Sequence, residues 1–249
     1  MPGVHEGAQA FGGAGDAYER GRPGYPADAV AWMSMSLGID ADARVVDLAA
    51  GTGKFTRALL PFARRLIACE PLEGMWRHLH AASATLPVVA ATAERIPLRN
   101  QSVDAVTVAQ AFHWFRAEEA LAEIRRILRP GGRLGLVWNR RDQSVPWVAE
   151  LGRLLDRYER DTPRFAKRLW SRAFDSNAPF TPLEERTFHY EQELDVAGLQ
   201  DRVVSVSFVA ALDAAEKAKV LDAVAEIASG LGERFALPYV TEVFCCSRR

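Results

Sequence analysis

Cysteine is scarce in this chain, and an excess of either charge is missing. Cys69, Cys245 and Cys246 are its 3 cysteines. An odd number with two adjacent gives no disulfide framework and no CxxC pair, so structural zinc is not expected, nor any other metal. With 31 basic against 32 acidic residues, the formal net charge is -1. That balance excludes the cationic surplus with which proteins grip a nucleic-acid backbone, and no nucleic-acid partner is expected. Long apolar runs are absent too. Stretches such as Ala29 to Met33 and Leu86 to Ala91 fall far short of the roughly 20 residues that span a bilayer, so no membrane span is expected. No Lys or Arg precedes Arg20 and no apolar h-region lies near it. The start therefore resembles neither a signal nor a transit peptide, and the expected compartment is the cytoplasm. Gly and Pro, 18 and 13 of 249 residues, sit near average usage, which excludes collagen-like and low-complexity chains.

What is present is an ordinary globular composition, 49% apolar and 25% charged, long enough for one large domain. Residues 1–17, rich in Gly and Ala, read as a mobile N-terminal arm. Residues 18–249 read as a single domain with a core over 40–140, a helical insertion or lid over about 142–180, and a C-terminal part over 181–249. Tyr25-Pro26 opens a first helix, with Val30, Met33 and Leu37 at helical spacing and Gly38 where a C-cap belongs. Short apolar runs predict strands at Arg44 to Leu48, Arg65 to Cys69, Val88 to Ala91, Val103 to Val108 and Leu134 to Trp138. Ala117 to Leu128 carries one apolar stripe, ended by Pro130-Gly131-Gly132. Further strands are expected at Thr187 to Leu194 and Tyr239 to Cys246, with a helix at Ala214 to Ala228. Strand and helix in alternation specify an α/β fold with a parallel sheet.

The chemistry concentrates at Val45-Val46-Asp47-Leu48-Ala49-Ala50-Gly51-Thr52-Gly53, a strand that runs into a glycine turn with an acid near its C-terminal end. Glycines there admit a ligand close to the backbone. A phosphate-binding Walker loop would need Gly at 48 and Ser or Thr at 55, where Leu48 and Phe55 stand. A dinucleotide fingerprint fails at its third glycine, which is Thr56. A pyrophosphate would also be repelled by Asp47. A cationic or zwitterionic adenosine ligand fits instead. Glu70 closes the next strand about 20 residues on, where α/β nucleotide folds place the carboxylate that accepts both ribose hydroxyls.

The sequence resembles class I S-adenosylmethionine-dependent methyltransferases. DLAAGTG corresponds to motif I, Cys69-Glu70-Pro71 with Met75 to the next motif, and Ala93-Glu94 to the adenine-side motif. The segment Tyr18-Glu19-Arg20-Gly21-Arg22-Pro23-Gly24-Tyr25-Pro26 and the run Ala109-Gln110-Ala111-Phe112-His113-Trp114-Phe115 resemble the branch of trans-aconitate-type small-molecule methyltransferases, with ubiquinone-pathway enzymes more distant. The resemblance implies a Rossmann-like, doubly wound, mostly parallel seven-stranded sheet with a C-terminal antiparallel strand. It implies S-adenosyl-L-methionine as cofactor. Asp47, Ala49, Gly51 and Gly53 would line the methionine end, Glu70 would hold the ribose, Met75 would pack on adenine, Ala93 and Glu94 would address the adenine ring, and Gln110 would sit near the transferred methyl.

The expected activity is methylation of a small molecule, on a carboxylate or hydroxyl. The alternative is a catalytically inactive S-adenosylmethionine-binding regulatory or scaffold protein. A carboxylate nucleophile needs no base; for a hydroxyl, His113 is the candidate, with packing among Phe112, Trp114 and Phe115 as its other reading. Tyr18, Arg22, Trp114, Arg140 and Arg141 are candidates for holding the acceptor, the arginines by clamping a carboxylate. Asp142 to Leu212, with Ser205 and Ser207 after a strand, is expected to close over it.

Overall fold

A computed structural model describes residue 9 and residues 15–82, 84–159, 169–175 and 179–249. The elements in chain order are α1 (Gly15–Gly21), α2 (Ala27–Leu37), β1 (Arg44–Leu48), α3 (Lys54–Leu59), β2 (Arg65–Cys69), α4 (Glu73–Ala82), β3 (Val88–Val89), β4 (Val103–Ala109), α5 (Ala117–Ile127), β5 (Leu128–Arg141), α6 (Pro146–Asp156), β6 (Glu184–Leu194), α7 (Val196–Val204), α8 (Ser207–Ala210), α9 (Ala214–Ala228) and β7 (Phe235–Ser247). Short 3-10 turns stand at Phe112–Trp114 and Leu169–Phe174.

Seven strands form one sheet in the order β3-β2-β1-β4-β5-β7-β6. The first five run parallel, and β7 lies antiparallel between β5 and β6. Alternation along each strand sorts side chains to two faces. Val46, Leu48, Val106 and Val108 enter one core with Leu121 and Ile124 of α5. Val45 and Ala105 enter the other, with Met33 of α2, Leu59 of α3 and Leu79 of α4. Strand order reverses between β1 and β4, so the loops at their carboxyl ends diverge and leave a crevice, the usual ligand position in such sheets.

Local signals worked where chemistry is local. Gly38 ends α2 at φ 65, its N–H donated to the carbonyls of Met35 and Ser34. Pro130-Gly131-Gly132, expected as a loop after α5, is instead inside β5. The pairing with β4 slips there, from Val103 opposite Leu128 to Ala105 opposite Arg133. A bulge absorbs the Pro and the positive φ of 75 at Gly131. The third strand is shorter than expected, ending at Val89.

Most of the expected N-terminal arm lies outside the described residues, yet its end, from Gly15, already belongs to α1. Within the expected lid, α6 buries Val148, Leu151, Leu154 and Leu155 in a third apolar cluster with Leu199 and Val203 of α7 and Val220 and Val224 of α9. Residues 160–168 and 176–178 of that segment lie outside the described residues. Ser205 and Ser207 come after β6, with α7 between: Ser205 ends α7 and Ser207 begins α8. Among the described residues no helix is long and apolar enough to cross a membrane.

Candidate functional site

Three turns meet at the carboxyl end of the sheet. After β1 the chain passes through Ala49 at φ 53, Gly51 at φ 59 and Gly53 at φ 84. After β4 it passes through Gln110 at φ 59. Left-handed backbone at a non-glycine residue is strained, and here two such residues, Ala49 and Gln110, face each other's loops across the switch point of the sheet. A side chain could not replace the hydrogen of Gly53, because its Cβ would lie 2.8 Å from Leu79 Cγ. A Cβ on Gly51 would meet Met75 Cε at 3.4 Å, so the methionine roofs this turn.

Two buried carboxylates hold the turn from beneath. Asp47 Oδ2 accepts from the Thr56 hydroxyl at 2.6 Å and Oδ1 from the Thr107 hydroxyl at 2.9 Å. It is fully buried, and desolvation raises it to about 6 against the two hydroxyls that favour its charge. Glu70 Oε2 accepts from Gly51 N–H at 2.8 Å and Oε1 from Leu72 N–H at 2.9 Å. Desolvation raises Glu70 to about 7, with the nearby Asp47 charge adding to it. Among the described residues no basic side chain acts on either carboxylate. Each Glu70 oxygen uses one lone pair on a backbone N–H and keeps one for a ligand hydroxyl. Open glycine backbone, a two-acceptor carboxylate and an apolar methionine roof fit an adenosine ligand that carries positive charge. Asp47 lies under the turn rather than in the crevice and would act through its field.

The remaining expected residues scatter in their engagement. Ala93 is buried in the core beside α5. Glu94 accepts from Arg116 N–H at 3.0 Å, the residue that precedes α5, so its carboxylate caps that helix. Gln110 lies beside the partly buried Tyr25 in the pocket lining and approaches the Asn139 carbonyl at 3.5 Å. His113 Nδ1 accepts from the Trp138 indole at 3.2 Å, and Trp114 lies 5.0 Å from its ring. An indole N–H can only donate, so Nδ1 is unprotonated and the neutral ring carries its proton on Nε2. Arg140 forms a two-pronged pair with Glu242 at 2.7 and 3.3 Å. That commits its guanidinium between β5 and β7. Arg141 stands opposite Tyr239 at the end of β5.

Beyond the turn lies a small pocket that opens to solvent. The Tyr18 to Tyr25 segment forms one wall, Gln110 and Asn139 at the ends of β4 and β5 another, and Arg202 of α7 closes it, with Lys54 completing the lining. Tyr18 and Arg22, two of the residues expected to hold an acceptor, are both in its lining. Arg202, Asn139 and Tyr25 were not among the expected site residues. A signal for Arg202 existed: it occupies the apolar phase of α7 with Leu199 and Val203, and only 5% of it is exposed. The N-terminal segment is bolted down by Asn139 Nδ2 donating to the Gly24 carbonyl at 2.8 Å and Gln192 Nε2 to the Gly21 carbonyl at 3.1 Å.

Comparison with known proteins gives a consistent picture. Residues 46–136 match the family model described as a methyltransferase domain. An uncharacterized methyltransferase of Mycobacterium tuberculosis is 40% identical over 93% of this chain and 93% of its own length. An uncharacterized methyltransferase-like protein of Schizosaccharomyces pombe is 39% identical over 85% of this chain and 82% of its own. Among solved structures, a candidate type II methyltransferase from Anaeromyxobacter dehalogenans superposes with a TM-score of 0.66 at 27% identity, covering 92% of this chain and 97% of that one.

Proposed function

The chain belongs to the class I S-adenosylmethionine-dependent methyltransferase family, and from that premise we propose that it methylates an oxygen of a small-molecule acceptor, a carboxylate in preference to a hydroxyl. The observation that carries the cofactor site is the pair of buried carboxylates, Asp47 and Glu70, around a glycine turn, with no basic side chain among the described residues acting on them. Bound S-adenosylmethionine supplies a methyl on a cationic sulfur, transferred in line as the C–S bond breaks and the sulfur leaves neutral. On this reading Glu70 accepts the ribose hydroxyls, Met75 covers the adenine side, and the strained Gln110 turn borders the reacting end.

The residues around the cavity chiefly orient the acceptor and exclude water. His113 supports the choice of carboxylate. With Nδ1 occupied by the Trp138 indole, the ring offers a donor at Nε2 rather than a base. A donor orients an acceptor oxygen, whereas a hydroxyl nucleophile would need its proton removed.

Calorimetric titration with S-adenosylhomocysteine, with NAD in parallel, tests the cofactor site: binding of the former alone is expected, and a folded protein that binds neither would sink the assignment. Replacing His113 by Ala is expected to lower turnover about tenfold or more while leaving S-adenosylhomocysteine affinity within twofold. Unchanged turnover would return His113 to a packing role.

A further inference from the structure

Two guanidiniums stand in the wall of the cavity, and among the described residues neither has a carboxylate partner. Arg22 Nε donates to the Ser205 hydroxyl at 3.0 Å and its Nη2 to the Ser205 carbonyl at 2.8 Å. Arg202 Nε donates to the Tyr239 hydroxyl at 2.8 Å, and its Nη1 reaches the Ser205 hydroxyl at 3.5 Å. One serine thus gathers both arginines from opposite sides. The two cations repel, and burial together with the Arg202 charge presses Arg22 down to about 10, so it stays charged at neutral pH. The groups that act on Arg22 are Arg202 and three tyrosines.

The neighbouring cations are treated differently. Arg20, two residues away at the surface, pairs with Asp201 at 2.7 Å. Lys54 pairs with Glu19 at 3.8 Å, and Arg57 with the same carboxylate at 2.5 Å. At the junction of α1 and α7 the exterior arginine is neutralised, whereas the interior pair is left with uncharged acceptors. Desolvated charge without a counter-charge is costly, and it persists where an arriving ion completes it. Each guanidinium has five N–H groups in a planar fork and spends two here, which leaves donors for a carboxylate gripped from two directions.

We propose that Arg22 and Arg202 form a carboxylate-binding site for the methyl acceptor, which makes the substrate a small organic anion. The inference rests on the small-molecule reading above and narrows it to a chemical class. Position supports the acceptor over the cofactor. The pair lies on the α7 side of the cavity, beyond Gln110 and Asn139 at the ends of β4 and β5, whereas Glu70 and Met75 mark the adenosine end beside β2. Two cations fit an acceptor with a carboxylate to spare for anchoring, or one whose own carboxylate loses its charge on methylation and so releases the product.

The test is direct binding. Protein saturated with S-adenosylhomocysteine, and protein without it, are titrated calorimetrically with succinate, benzoate and citrate, and with succinamide and benzamide as neutral matches. At least one carboxylate is expected to bind while its amide does not. Arg202→Met and Arg22→Met are each expected to lower that affinity by about tenfold or more and to leave S-adenosylhomocysteine affinity within twofold. Arg202→Met removes a buried charge at similar length, and Arg22→Met supplies the same test from an extended segment should the first variant fold poorly. Absence of any carboxylate binding, with or without S-adenosylhomocysteine, would overturn the proposal. So would a tenfold loss of S-adenosylhomocysteine affinity in either variant, which would give the pair to the cofactor's own carboxylate. Failure of the wild-type protein to bind S-adenosylhomocysteine counts against the glycine-turn site alone, and the titration without it still judges the pair.

Discussion

Affinity for S-adenosylhomocysteine is expected to rise steeply between about pH 5 and pH 8, and Glu70→Gln is expected to weaken it by about tenfold to a hundredfold at pH 8. The effect follows from buried charge. In the free protein Glu70 is raised to about 7 and Asp47 to about 6 by desolvation. A ligand that donates two hydroxyls to Glu70 and brings an ammonium toward Asp47 favours both ionised forms, so binding must release the protons the free protein holds. As pH is lowered, affinity therefore falls first through the Glu70 range near 7 and then more steeply through the Asp47 range near 6. The substitution removes charge-assisted hydrogen bonds worth about 1.5–3 kcal/mol each. It should also erase the upper part of the pH dependence and leave only the part near 6. Proton release on binding, read from calorimetry in buffers of different ionisation enthalpy, checks this. A pH-independent affinity, or a Glu70→Gln protein with the wild-type profile, would remove Glu70 from the ligand.

The sign for stability is opposite. Both carboxylates have folded-state values above their ordinary ones, so the free protein binds protons more tightly folded than unfolded. Their contribution is fully present below about pH 4 and is lost as pH rises through 6 and 7. Cofactor and acid are thus alternative ways of relieving the same burial. Glu70→Ala is a poorer probe than Glu70→Gln, because Gly51 N–H and Leu72 N–H would both lose their acceptor.

Gly21→Ala is expected to abolish the acceptor site while sparing the cofactor site. A Cβ at this position would lie 2.5 Å from the backbone of Asp201 and from Arg202 N. Backbone in the middle of α7 cannot step aside as a flexible side-chain end can, so α1 must lift from α7. That displacement carries off Arg22, the hydrogen bond to the Gly21 carbonyl from Gln192, and the adjoining Arg20–Asp201 pair. The sheet does not depend on this docking. Turnover should fall at least about a hundredfold, with S-adenosylhomocysteine affinity near wild type. Amide hydrogen exchange should show lost protection over residues 15–24 and retained protection in β1, β4 and β5. Wild-type turnover, or equal loss of protection across the sheet, would contradict the packing described.

Much of this site was legible because its determinants are close in sequence. Gly51 and Gly53 follow directly from β1, Glu70 ends the next strand, and Gln110 ends β4, so strand periodicity and turn chemistry suffice to bring them to one edge. The limits appear where partners come from far along the chain. Nothing near Arg140 announces Glu242, and nothing near His113 announces that Trp138 will occupy Nδ1; the register of β5 against β7 joins the first pair, and the turn after β4 folding beside β5 joins the second. Pro130-Gly131-Gly132 reads as a loop because its bulge exists only against β4.

The sequence by itself determined the α/β class, the glycine turn with its two acids and, through them, the cofactor, because a parallel sheet delivers the ends of successive strands to a common edge whatever its loops do. Only the tertiary structure decided that Asp47 lies beneath the turn, that His113 Nδ1 accepts from Trp138, and that Arg22 meets Arg202 over Ser205, which stands 183 residues further along the chain. Those outcomes depend on how α7, β5 and β7 pack against an N-terminal segment, and packing joins groups whose separation in the chain carries no local signal.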